Sequence, residues 1–133
     1  MRLIYHSHGS RAENKIALTF DDGPNPFFTE KILKILSDHK VKATFFLIGE
    51  AAALYPCLVR QIFYAGHLIG NHTYSHIKGD FKKAGELIAN IIGETPCYIR
   101  SPYLDLNLCL SLDREYLKKI KIINFDVDSF DWN

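Results

Sequence analysis

A chain of 133 residues is long enough for one domain with a real core and too short for two. Apolar residues make up 47% and charged residues 23%, an ordinary globular balance, and 16 Lys plus Arg against 15 Asp plus Glu leave a net charge of only +1. That near-neutrality excludes a nucleic-acid polyanion as the expected partner, and no apolar run approaches the ~20 residues that cross a bilayer.

In chain order, the first dozen residues hold His6, His8 and Arg11 in a polar setting and read as a loose arm or an edge strand, without the apolar centre of a signal peptide. Residues 16–20 form an apolar strand that ends on two adjacent carboxylates, Asp21 and Asp22, before Gly23-Pro24 forces a turn. In extended chain neighbouring side chains point to opposite faces, so the two acids could serve two tasks. Asp-Asp-Gly-Pro is also what a plain connection looks like. Residues 29–39 carry Ile32, Leu33, Ile35 and Leu36 at helical spacing, with Thr29 as the candidate N-cap. Residues 43–48 are continuously apolar, which suits a parallel strand covered on both faces.

A second helix spans residues 50–64 and breaks or restarts at Pro56. Gly66 ends it, and Leu68-Ile69-Gly70 leads into Asn71-His72-Thr73-Tyr74-Ser75-His76. Residues 78–92 read as a third helix, weakened by Gly79 and Gly85; a short strand at 97–99 then delivers Arg100-Ser101-Pro102-Tyr103. Residues 113–119 look helical, and a last apolar strand at 120–127 runs into Asp128-Ser129-Phe130-Asp131-Trp132. The odd, unpatterned Cys57, Cys97 and Cys109 read as buried free thiols. Alternating strands and helices without repeat or linker predict a single α/β domain over residues 1–133, with a parallel sheet. Functional groups in such folds gather at the carboxyl ends of strands, and each polar cluster above follows a strand.

His72 and His76 are spaced i, i+4, which on a helical turn places both imidazoles on one face, although such a pair can equally be structural. No Glu follows His72, so this is not the zinc-protease version of the pattern. An acid from another strand end turns the pair into the two-His, one-carboxylate set of a catalytic metal site with a position open to water. Asp22 offers that acid, and Asp21 a second carboxylate free to act as a base.

Thr19-Phe20-Asp21-Asp22-Gly23-Pro24, His72-Thr73-Tyr74-Ser75-His76, Arg100-Ser101-Pro102-Tyr103 and Asp128-Ser129-Phe130-Asp131-Trp132 resemble, in order, the first four motifs of the polysaccharide deacetylases (NodB-homology domain, carbohydrate esterase family four). The resemblance runs from about Lys15 to the end of the chain. It implies a distorted (β/α) barrel, here incomplete on its C-terminal side, and metal-dependent hydrolysis of N-acetyl or O-acetyl groups on a polysaccharide or amino-sugar oligomer. Asp22, His72 and His76 would hold one divalent ion, zinc foremost, and Asp21 would be the general base paired with Arg100. The backbone N–H of Tyr103 would stabilise the oxyanion, Pro102 and Trp132 would belong to the sugar-binding wall, and His67 would be a packing residue. Family members often act outside the cytoplasm, but this chain carries no address.

Asp131 resembles the aspartate that orients the histidine of a fifth motif, Leu-x-His, which these 133 residues do not contain. Losing a general acid typically costs ~10²–10⁴ in rate. Leu104 and Leu68 also depart from the residues common in the family. On this reading the sheet is open on one side, so a second copy of the chain, forming a homodimer, covers the edge or the residues are part of a longer product. A partner copy could then lend His6 or His8 as the acid. The competing expectations are an inactive or weakly active relative that binds glycans, and a hydrolase of small-molecule amides.

Overall fold

Apolar runs alternating with amphipathic stretches become, in the computed structural model, a parallel sheet flanked by helices; the structure describes residues 4–110 and 112–132. The first half comprises β1 (Tyr5–His6), β2 (Thr19–Gly23), α1 (Thr29–Asp38), β3 (Thr44–Leu47), α2 (Gly49–Leu54) and α3 (Pro56–Tyr64). The second comprises β4 (Leu68–Asn71), α4 (Phe81–Ile92), β5 (Tyr98–Ile99), a 3-10 turn (Pro102–Leu104), α5 (Asn107–Leu110), α6 (Arg114–Lys119) and β6 (Lys121–Ile123). All six strands join one sheet in the order β1-β6-β5-β4-β3-β2, and each pairing is parallel. Every strand therefore ends on the same rim.

The continuous apolar run of β3 is buried because helices cover the sheet: Phe45, Phe46 and Leu47 are 3%, 0% and 0% exposed. Phe45 and Leu47 pack with Ile69 of β4, Ala52 of α2, Val59 and Ile62 of α3 and Ile88 of α4. A second cluster joins Ile99 of β5 and Ile122 of β6 to Phe81 and Cys109. Each fully buried large apolar side chain contributes roughly 1.5–3 kcal/mol, enough together to hold a sheet whose strands are only two to five residues long.

Several elements differ from expectation for local reasons. The long second helix divides at Tyr55, with Pro56 as the first residue of α3, where its missing N–H and fixed φ are tolerated. Thr29 is not the cap of α1; its Oγ1 accepts the Asn25 N–H, while Asn25 Oδ1 accepts the N–H groups of Phe27 and Phe28. Asn25 thus organises the entry to α1. Only Cys109 is buried, whereas Cys57 and Cys97 are exposed, and all three are free thiols. The N-terminal arm is an edge strand: Tyr5 and His6 register with Ile122 and Ile123, so the outer side of β6 is covered by the chain's own beginning. α4 starts at Phe81 rather than 78, and β6 is three residues rather than eight.

Candidate active site

The two acids are parted by an irregularity rather than by a regular pleat. The β2–β3 ladder pairs Phe20 with Phe45 and then Gly23 with Leu47, three steps on one strand against two on the other, which is a β-bulge. Asp22 absorbs the extra residue in the left-handed region at φ 66°, a conformation Asp tolerates better than most. The result sends Asp21 Oδ1 to Arg100 Nη1 at 2.7 Å, and brings Asp22 Oδ1 to 3.3 Å from His72 Nε2 and 3.1 Å from His76 Nε2.

The histidines converge without a helix. After β4 the chain forms a loop in which Thr73 and His76 take φ of 68° and 63°, and the two imidazole rings lie 5.0 Å apart. The pair is thus brought together by a loop and not by the face of a helical turn that its i, i+4 spacing suggests. His72 is buried, and its Nδ1 lies 2.8 Å from the Arg100 carbonyl oxygen. A carbonyl only accepts, so Nδ1 carries the hydrogen and Nε2 is left to face Asp22.

One oxygen of Asp22 and a nitrogen from each histidine lie within 4.8 Å of one another. The three contacts are those of a carboxylate between two imidazoles, and this nitrogen and oxygen donor set fits a divalent ion such as zinc. The Asp22 carboxyl is held below its ordinary value, chiefly by its hydrogen bond with His72; partial burial opposes this, and the neighbouring His72 and His76 add to it.

Arg100, at the end of β5, is 2% exposed and divides its fork between β2 and the end of β6. Nη1 donates to Thr19 Oγ1 (2.8 Å) and Asp21 Oδ1, Nε to the Ile123 carbonyl (3.2 Å) and Nη2 to the Asn124 carbonyl (3.2 Å). Its guanidinium also lies 4.2 Å from the centroid of the Phe46 ring. A buried guanidinium without these partners would be strongly destabilising. Thr19 was not singled out from the sequence, yet it stands two residues before Asp21 and so shares its face of the strand.

Tyr103 is 84% exposed with φ 54°, and its ring meets the edge of His76 at 5.1 Å. Pro102 beneath it is buried and shapes the turn. Trp132 is 70% exposed, and its Nε1 donates to Asp128 at 3.2 Å and 3.3 Å. Asp131 accepts the Ser129 hydroxyl at 2.5 Å. The structure thus gathers Asp21, Asp22, His72, His76, Arg100 and Tyr103 into one contact network, while the turn carrying Asp131 and Trp132 makes these bonds within itself. His67 lies at the opposite end of β4, buried against Phe45, as a packing residue should.

Imidazoles, two separated carboxylates and a buried guanidinium on the rim of a parallel sheet define an α/β protein with a site suited to metal-assisted hydrolysis. The chain belongs to the polysaccharide deacetylase family, which its residues 8–121 match. A peptidoglycan-N-acetylglucosamine deacetylase of Bacillus cereus is 39% identical over 98% of this chain and 51% of its own length. A chitooligosaccharide deacetylase of Rhizobium leguminosarum bv. trifolii is 33% identical over 91% of this chain and 60% of its own. The crystal structure of the Bc1960 peptidoglycan N-acetylglucosamine deacetylase superposes with a TM-score of 0.84 at 38% identity, covering 96% of this chain and 64% of that one. The sheet is accordingly part of a (β/α) barrel of this family, and the chain spans about half the length of the first of these relatives. Among the described residues no helix is long and apolar enough to cross a membrane.

Proposed function

We propose that this chain is the catalytic domain of a deacetylase that hydrolyses acetyl groups, N-linked foremost, on a polysaccharide or amino-sugar oligomer, with one divalent ion, zinc foremost, held by Asp22, His72 and His76. The observation that carries the reading is the bulge in β2, which gives adjacent carboxylates separate partners, a guanidinium for one and two imidazoles for the other. When bound, such an ion acidifies a water and polarises an acyl oxygen. Asp21, aimed by Arg100 and still 28% exposed, takes the proton of the attacking water. The backbone N–H of Tyr103 donates to the developing oxyanion. Pro102 fixes the turn under the substrate, Trp132 offers its exposed ring to a sugar face, and Asp131 stands where the family's aspartate orients a general acid that these 133 residues do not contain. An acetylated glycan is favoured as substrate because relatives of this identity are deacetylases of peptidoglycan and chitooligosaccharide.

The test is acetate release from a chito-oligosaccharide, with zinc content by elemental analysis, for the wild type, Asp21→Asn and His76→Ala. Asp21→Asn is expected to keep its zinc and lose ~10²–10⁴ in rate, while His76→Ala loses both. Undiminished turnover in Asp21→Asn would remove the base assignment, and a well-folded wild type that takes up no zinc would remove the metal centre.

A further inference from the structure

The loop between β4 and α4 presents His76 from a backbone that L residues avoid, with φ of 68° at Thr73 and 63° at His76. Such residues are strained and persist only where the surroundings over-determine them. Here two helix starts do so. From one side, the N–H groups of Gly49 and Glu50, at the head of α2, donate to the Thr73 and Tyr74 carbonyls at 2.9 Å each. From the other, Asp80 stands at the N-cap position of α4 but does not cap it. Its Oδ1 accepts the N–H of Tyr74 at 2.8 Å and of Ser75 at 3.4 Å, and its Oδ2 accepts the Ser75 hydroxyl at 2.9 Å.

Both backbone groups of Tyr74 are therefore taken, one by each helix start. Lys83, in the first turn of α4, adds its ammonium 3.4 Å from the centroid of the Tyr74 ring. Gly49 leaves the loop no slack: a Cβ there would lie 2.5 Å from Tyr74 Cδ2 and 3.0 Å from Tyr74 Cα, so a larger residue must displace the loop backbone. His76 follows two residues later, with its own N–H bonded to Thr73 Oγ1 at 3.0 Å.

We infer that Asp80 and Gly49 are positioning residues that set the affinity of the Asp22, His72 and His76 site for its ion, by holding the His76 loop in its ligating shape before an ion arrives. The inference rests on the metal reading proposed above. It adds two residues that touch neither ion nor substrate.

The experiment titrates the chain with cobalt(II), following the ligand-field absorption and competition with a chromophoric chelator, beside urea midpoints of the metal-free proteins. Asp80→Ala is expected to weaken cobalt binding by about 10-fold or more, the scale on which groups behind the ligands act. Asp80→Asn keeps an acceptor for the Tyr74 N–H and a partner for the Ser75 hydroxyl, and stays within about 3-fold of wild type. Gly49→Ala reproduces the Asp80→Ala loss from the opposite side of the loop. Ser75→Ala removes only the hydroxyl bond and costs about 2–3-fold, in a chain whose fold is little strained by the change.

A role confined to folding would move the urea midpoints and leave affinity and absorption of the folded protein unchanged; that result overturns the inference. Wild type binding cobalt no better than His76→Ala would instead overturn the metal reading on which it stands.

Discussion

Two buried histidines show how one residue type is turned to opposite ends. His72 has its Nδ1 hydrogen taken by the Arg100 carbonyl, so Nε2 faces Asp22. His67 uses Nδ1 as an acceptor for the Ala43 N–H at 3.2 Å, a role that only the neutral ring can fill. Burial, and secondarily the charge of Lys42, hold the His67 pKa below its ordinary 6.5. The unfolded chain therefore binds the proton more readily between the folded value and 6.5, so this contribution to stability is complete above pH 6.5 and is lost as the pH falls. Urea midpoints measured at about pH 7.5 and 5.5 should drop more in the wild type than in His67→Gln, whose amide oxygen accepts at either pH. Equal drops would locate the acid sensitivity elsewhere. The identities of Asp21, Asp22, His72, His76 and Arg100 were legible because their chemistry is rare and their order distinctive. Their geometry was not, since the partner that aims Asp21 lies 79 residues away and the left-handed φ of Asp22 follows from a register set by β3.

At the scale of elements, β3 and β4 were readable from apolar runs, and the break between α2 and α3 from Pro56. The 3-10 turn and the four-residue α5 were not, because so short a segment shows no period. The packing between strands was equally silent. Gly70 of β4 registers against Phe46 of β3, and a Cβ on it would sit 2.3 Å and 2.5 Å from Phe46 Cδ1 and Cε1. Phe46 is fully buried and carries the Arg100 guanidinium over its ring, so it yields only by moving the group that aims Asp21. Gly70→Ala is expected to destabilise by about 1–3 kcal/mol, and to lower the acetate-release rate of the remaining folded protein. A variant that unfolds at the wild-type urea concentration and turns over normally would show that the ring relocates without disturbing Arg100.

Over the whole molecule, alternation of strand and helix predicted the parallel sheet, but not which strand would flank the last one. The sequence left the edge of the sheet to a second copy of the chain or to the rest of a longer product. The structure instead pairs β6 with β1, two residues from the start of the chain whose partners lie more than a hundred positions on, a match no local pattern announces. Hydrogen bonds at the join include Ile122 N–H to the Ile4 carbonyl (2.8 Å), Asn124 N–H to the His6 carbonyl (2.7 Å) and Asn124 Nδ2 to the Tyr5 hydroxyl (2.7 Å). Asn124 and Ile123 in turn lend their carbonyls to Arg100, so the arm is tied through one strand to the side chain that orients Asp21. Deleting residues 1–8 should therefore act twice. At roughly 0.5–1.5 kcal/mol per bond, stability falls by about 2 kcal/mol, and a bared β6 edge raises light scattering at high protein concentration. Acetate release by the monomeric fraction falls as well, because β6 now holds Arg100 less firmly. Tyr5→Phe, which removes one of these bonds, should lose a fraction of the stability and keep the activity. A deletion that leaves urea midpoint, scattering and turnover unchanged would mean that β6 is held by the core beneath it, through Ile99 and Ile122, and that the arm merely rests on its edge.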